Sequence, residues 1–137
     1  MQTLKLFGVV AAFVLVADFA WLSLMKGFYS REIGELMRRS ADGLAPRWGA
    51  AILVYVLIPA GIVLFVRPHL SGGATVAHAL GWGAVFGLIL YGVYDLTNLA
   101  LVEKWTLSVT VADMVWGSCL CAGASAVMNA TDKWLGH

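Results

Sequence analysis

Residues 79–101 read ALGWGAVFGLILYGVYDLTNLAL, a continuous apolar run with no lysine or arginine, yet with Asp95 and Asn98 near its end. Its length fits the ~20 mostly apolar residues that a helix needs to cross a bilayer's hydrocarbon core. Nothing in it alternates with the period of two expected of a barrel strand. In lipid only a helix of this kind satisfies its own backbone N–H and C=O groups. A membrane helix here places Asp95 where a charged carboxylate costs about 2.5–3.5 kcal/mol on insertion scales. The rest of the chain has to explain that aspartate.

Composition supports the membrane reading. Of 137 residues, 61% are hydrophobic and 12% charged, with a mean hydropathy of +0.83; soluble domains carry about a quarter charged residues. Three further apolar runs, residues 4–25, 48–66 and 107–130, join 79–101. The expectation is an all-α integral membrane protein, a four-helix transmembrane bundle forming a single domain over residues 1–137. Lys5 is the only basic residue at the start of the first run, and the bulky stretch from Trp21 to Lys26 offers no small-residue cleavage site, so this run is read as a retained helix. Net charge is +1 with no basic stripe, which leaves no footprint for nucleic acid. Cys119 and Cys121, with one residue between them, point to different faces of a helix and read as small buried thiols.

The connections differ in kind. Loop three, VEKW over residues 102–105, is tight and makes its two helices an antiparallel hairpin. Loop two carries Arg67-Pro68 and Ser71-Gly72-Gly73. Loop one, residues 26–47, is long and charged. In it Phe28, Tyr29, Ile33, Leu36 and Met37 recur near a helical period, with Arg31, Glu32, Arg38 and Arg39 between them. That pattern fits a short amphipathic segment on the membrane surface, with a solvated linker as the alternative. Lys26, Arg31, Arg38, Arg39, Arg47 and Lys104 fall on the side of loops one and three, against Lys5, Arg67 and Lys133 on the other. The balance places loop one in the cytoplasm and both termini outside. Gly83 and Gly87 form a GxxxG pair, and Gly117, Gly123, Ala124 and Ser125 add small residues to the fourth helix. Such residues let helices approach closely, either inside one bundle or across a homodimer.

Three acids lie inside the apolar runs: Asp18, Asp95 and Asp113. At ~1.5 Å rise per residue, all three fall about 5–8 Å from the midplane, in the leaflet of loops one and three. Asp18 and Trp21 share the pattern DxxWxS with Asp113 and Trp116 on helices of opposite direction, which fits either a faint inverted repeat or a coincidence over six positions. On the third helix Tyr91, Asp95 and Asn98 share a face with Tyr94 beside them, and Tyr55 of the second helix reaches the same depth, one turn before Pro59. No basic residue lies in the apolar cores to pair with the acids. Three arrangements relieve them: a carboxyl that keeps its proton and shares hydrogen bonds, a bound cation, or a water-filled cavity. The first alone would be a polar knot that fixes packing. The oxygen-rich set of Asp18, Asp95, Asn98 and Asp113 suits a proton or hard cation and no soft metal. Trp21, Trp116, Tyr55, Tyr91 and Tyr94 also suit an organic cation or the ring of a lipophilic substrate. His69 and His78 lie toward the opposite face, and His137 is terminal, so none is expected to be a ligand.

The YGVYDLTNLA stretch, the spacing of Trp105, Leu107, Val109, Thr110, Asp113, Trp116 and Gly117 that follows it, and Asp18-x-x-Trp21-Leu22 together resemble domain-of-unknown-function family 2177. The likeness covers nearly the whole chain. It implies a small bacterial four-helix protein of the inner membrane and brings no activity, so no catalytic role and no cofactor is carried over. Two functional readings stay open. One is binding or transport of a cation, a proton or a small organic cation, with a homodimer completing a transport path. The other is a membrane-embedded enzyme or accessory subunit acting on a lipid or lipophilic metabolite, with aspartates as general acid and base.

Overall fold

The computed structural model describes residues 1–136; His137 lies outside the described residues. Four helices long and apolar enough to cross a membrane make up most of it. Helix α1 spans Gln2–Ile33, α2 Trp48–Gly61, α3 Val76–Leu101 and α4 Leu107–Trp134. Between α1 and α2 a 3₁₀ turn, Gly34–Leu36, leads into a minimal antiparallel ribbon of β1 (Arg39–Ser40) and β2 (Gly43–Leu44).

Local chemistry sets the boundaries. Thr75 and Thr106 cap α3 and α4, their side-chain oxygens accepting from His78 N–H and Val109 N–H at 3.2 Å each. Gly72 and Gly73, at φ of 76° and 84°, make the turn into α3 that a side chain would strain. Pro59 interrupts α2: it has no N–H to give the Tyr55 carbonyl one turn back. The helix continues as a π-helical stretch, Ile62–Val66, and then a 3₁₀ turn, Arg67–Leu70.

Helix α1 runs well past Met25. The amphipathic residues of loop one do not form a separate surface helix: Phe28, Tyr29 and Ile33 lie in the last turns of α1, where Tyr29 and Ile33 bury against Val109 of α4, and Leu36 and Met37 follow in and after the 3₁₀ turn. The reason is visible in α1 itself. Leu6, Val10 and Val14 recur every fourth residue, and Trp21, Met25, Tyr29 and Ile33 continue at the same spacing, so one face stays in contact with α4 along the whole helix. Asp18 occupies the position where the two stripes join.

In space the helices follow the order α2–α1–α4–α3. The α3–α4 hairpin is the most extensive contact, built on small residues. A Cβ on Gly87 would collide with the Gly117 carbonyl, and one on Gly83 with the Cys121 carbonyl. The GxxxG pair is therefore spent inside the chain, holding α3 against α4. This is how membrane helices associate when hydrophobic burial gives no net drive in lipid. Leu6, Val10, Val14, Ile62, Val66, Leu120, Ala124 and Met128 form the main core, at the end that carries the chain termini.

Candidate functional site

The buried residues of α3 are Ala79, Gly83, Gly87, Gly92 and Asp95, with Tyr91 partly buried along the same stripe. Its small members bring the helices together near the termini; its large polar members hold them apart toward loop three. Tyr91 lays its ring on Gly117 of α4, where any side chain would overlap it. One turn on, Asp95 is 0% exposed, and neither of its oxygens meets a hydrogen-bond donor among the described residues. Beside it stands the carboxyl of Asp113, near enough for the two to act on each other electrostatically. Two carboxylates cannot bond to each other; a proton or a cation between them would turn that contact into an attractive one.

Asp113 is held from the other side by Tyr29, whose hydroxyl donates to Asp113 Oδ1. Tyr29 in turn accepts from Trp21 Nε1 at 3.0 Å. Asp18 is bonded twice: Tyr55 Oη donates to Oδ2 at 2.5 Å and Trp116 Nε1 to Oδ1 at 3.0 Å. The rings of Trp21 and Trp116 stack between the two acids, centroids 4.6 Å apart and planes 3° from parallel. The DxxWxS repeat thus has a structural meaning. Each tryptophan serves the aspartate of the opposite helix, Trp116 directly and Trp21 through Tyr29. The Tyr91 side chain lies within the electrostatic range of Asp18, Asp113 and Tyr55, which ties the two halves together.

Of the expected residues, Asp18, Trp21, Tyr55, Tyr91, Asp95, Asp113 and Trp116 converge on one polar layer. Tyr94 and Asn98 stand at its edge. Tyr94 is 58% exposed and meets Trp105 edge-on at 6.0 Å, with Asn98 in hydrogen-bonding reach. They line the outer side of α3 instead of the acids. Tyr29 belongs to the layer and was read above only as part of loop one. Its spacing from Trp21 and Met25 was the available signal. Among the described residues no three His, Cys, Asp or Glu side chains are arranged to hold a metal ion, because Asp18 sits in its own pair of donors, apart from the Asp95–Asp113 contact.

Outside this layer the charged groups tie the ends of the bundle. Arg67 grips Asp132 with Nε and Nη2 at 3.0 and 3.1 Å and reaches Thr3 at 3.2 Å, and Gln2 adds a bond to Asp132 at 2.6 Å. At the other end Lys104 binds Glu35 at 2.5 Å, joining loop three to the end of α1, and the carboxylate raises the lysine above its ordinary pKa.

Four apolar helices crossed by one aromatic and acidic layer define a multi-pass membrane protein of the small-bundle type. Residues 3–130 match the family described as "Predicted membrane protein (DUF2177)", and the chain belongs to that family. No curated protein and no solved structure matches it.

Proposed function

We propose that the protein binds a proton or a small cation at an intramembrane carboxyl site made by Asp95 and Asp113, with Asp18 held beside it. One observation carries the reading: Asp95 is fully buried, meets no donor among the described residues, and stands near a second carboxyl. Asp18, Trp116 and Tyr55 already satisfy one another, so they would be sufficient for a purely structural knot. Asp95 would not be needed for that. An unsatisfied buried acid costs stability, about 1–3 kcal/mol or more for a charged group, and is retained where something binds it.

Movement of the ion across the bilayer is a further step. The core at the terminal end, from Leu6 to Met128, has only the uncharged Ser125 and Asn129 as buried polar residues among the described residues, so a transport path would call for a second copy of the chain. The orientation belongs to the same proposal: inner membrane, loop one cytoplasmic, termini outside, following the charge balance. A reporter fused at the C-terminus that is active in the cytoplasm would reverse it.

The binding reading is tested by melting the protein in lipid nanodiscs over a pH series and with sodium or potassium added. The parent's melting temperature should respond to pH or to one of the cations, and Asp95→Asn, which keeps shape and cannot ionise, should flatten that response. A parent as flat as the variant leaves only a packing role for the layer.

A further inference from the structure

The end of the bundle that carries the termini holds a cavity of about 570 Å³ between the first turn of α1, the segment after α2 and the last turns of α4. That size falls within the roughly 300–1,000 Å³ of small-molecule sites. Its charged lining is Arg67, Asp132 and Lys133, with Thr3, Ser71 and Asn129 as polar neighbours. Arg67 follows directly on the apolar run 48–66, and Lys133 stands just beyond the run 107–130. Both cations therefore lie at the depth of the lipid head groups.

The charges do not cancel. Asp132 is occupied by Arg67, which gives it Nε–H and Nη2–H at 3.0 and 3.1 Å, and by Gln2 at 2.6 Å. Lys133 has no carboxylate in ion-pair range among the described residues. Its ammonium donates instead to the Ala74 carbonyl at 2.6 Å, which Asn129 Nδ2 also reaches at 3.2 Å. A carbonyl takes one N–H and leaves the positive charge in place. Donors remain as well. A guanidinium has five N–H groups and an ammonium three; Arg67 commits three of its own to Asp132 and Thr3, and Lys133 one. One wall of the cavity is apolar. Leu64, 63% exposed, belongs to the run that crosses the hydrocarbon, so the cavity is continuous with the surface that acyl chains cover.

We propose that this cavity binds the phosphate of an acidic phospholipid, held by Arg67 and Lys133 with the acyl chains along Leu64. Guanidinium and ammonium groups both recognise phosphate oxygens, and basic pockets between membrane helices collect anionic head groups. A zwitterionic lipid brings an ammonium of its own, which the excess positive charge opposes, so the cavity selects an acidic lipid. The site lies at the opposite end of the bundle from the carboxyl layer and does not depend on it.

The test is native mass spectrometry of the full chain released from nanodiscs holding phosphatidylcholine and phosphatidylglycerol in equal amounts. The parent should retain phosphatidylglycerol about tenfold over phosphatidylcholine, a difference equal to about 1.4 kcal/mol. Lys133→Gln, which removes the charge and keeps an N–H donor, should lose most of that preference, and Lys133→Arg should keep it. Ser71→Asp sets an opposing charge on the cavity wall from an exposed position outside the Arg67–Asp132 pair. It should melt like the parent in phosphatidylcholine alone and lose the preference. Arg38→Gln with Arg39→Gln, in the basic loop at the other face, should leave the preference unchanged. Equal retention of the two lipids by the parent, or an undiminished preference in Ser71→Asp, overturns the inference. So does a preference that disappears with Arg38 and Arg39, because the basic loop would then be what attracts the lipid. Inorganic phosphate that stabilises the parent in phosphatidylcholine as much as phosphatidylglycerol does would make the occupant a soluble anion, and the lipid assignment falls.

Discussion

The two ends of the bundle are built from the same four helices and held by different means. At the end that carries the termini, glycine lets α3 and α4 touch backbone to backbone, the π-helical stretch after α2 closes on α3, and Arg67 clamps Asp132. At the loop end, α2 leans away from α3, and tyrosine and tryptophan donors bridge the helices to buried acids. Close packing in lipid is made from dispersion and backbone proximity, so it tolerates no added atom. The polar layer is made from directional bonds, each depending on one donor and one acid. Packing by contact and packing by bonding are thereby separated along the bundle.

The sharpest way to break that contrast is to add volume at the closed end. Gly87→Leu drives a side chain into the Gly117 backbone, which has no rotamer to yield, and should cost about 3 kcal/mol. Thermal melts followed by circular dichroism read this, and a variant that melts like the parent means that the α3–α4 approach is looser than described. At the open end, Asp18→Leu leaves Tyr55 and Trp116 without an acceptor and should cost about 1–3 kcal/mol. Asp95→Leu strands no donor, so it should melt at or above the parent's temperature; equal losses for the two variants would show that Asp95 has partners after all.

A smaller effect is expected from Tyr29→Phe, which cuts the link from Trp21 to Asp113 and should cost about 1 kcal/mol. If the melt is unchanged while Trp21→Phe is destabilised, the relay through Tyr29 is not a working bond. The smallest effect belongs to Lys104→Met. Its pair with Glu35 is exposed and screened by salt, so the melt at physiological salt should not move. With the lysine raised above its ordinary pKa, the pair's contribution is complete below the usual lysine range and fades only as pH climbs through the raised value. A clear pH effect of Lys104→Met near neutrality would contradict this.

Much of the site was legible because depth in a membrane can be counted along a helix. Asp18, Asp95 and Asp113 each lie at a fixed number of residues from a loop, and the tight third loop fixed which runs were antiparallel. The tryptophans were legible as a repeat, though their exchange between helices was not. Tyr29 was missed because its segment is charged enough to read as a loop; only docking on Val109 makes it helix and turns it inward. Tyr94 was placed beside the acids by its neighbours in sequence, yet it stands on the outer edge of the face and meets Trp105.

The sequence by itself determined that four segments are long and apolar enough to cross a membrane and that three acids lie within them. Both follow from transfer energies and helical rise, which are local properties. Only the tertiary structure decided which donor meets which acid, that the GxxxG pair closes a hairpin inside one chain, and that α2 stands away from α3 until the chain passes Gly61. Those depend on the directions in which helices approach, and in lipid the hydrophobic pattern is nearly uniform around each helix, so it carries little information about that choice.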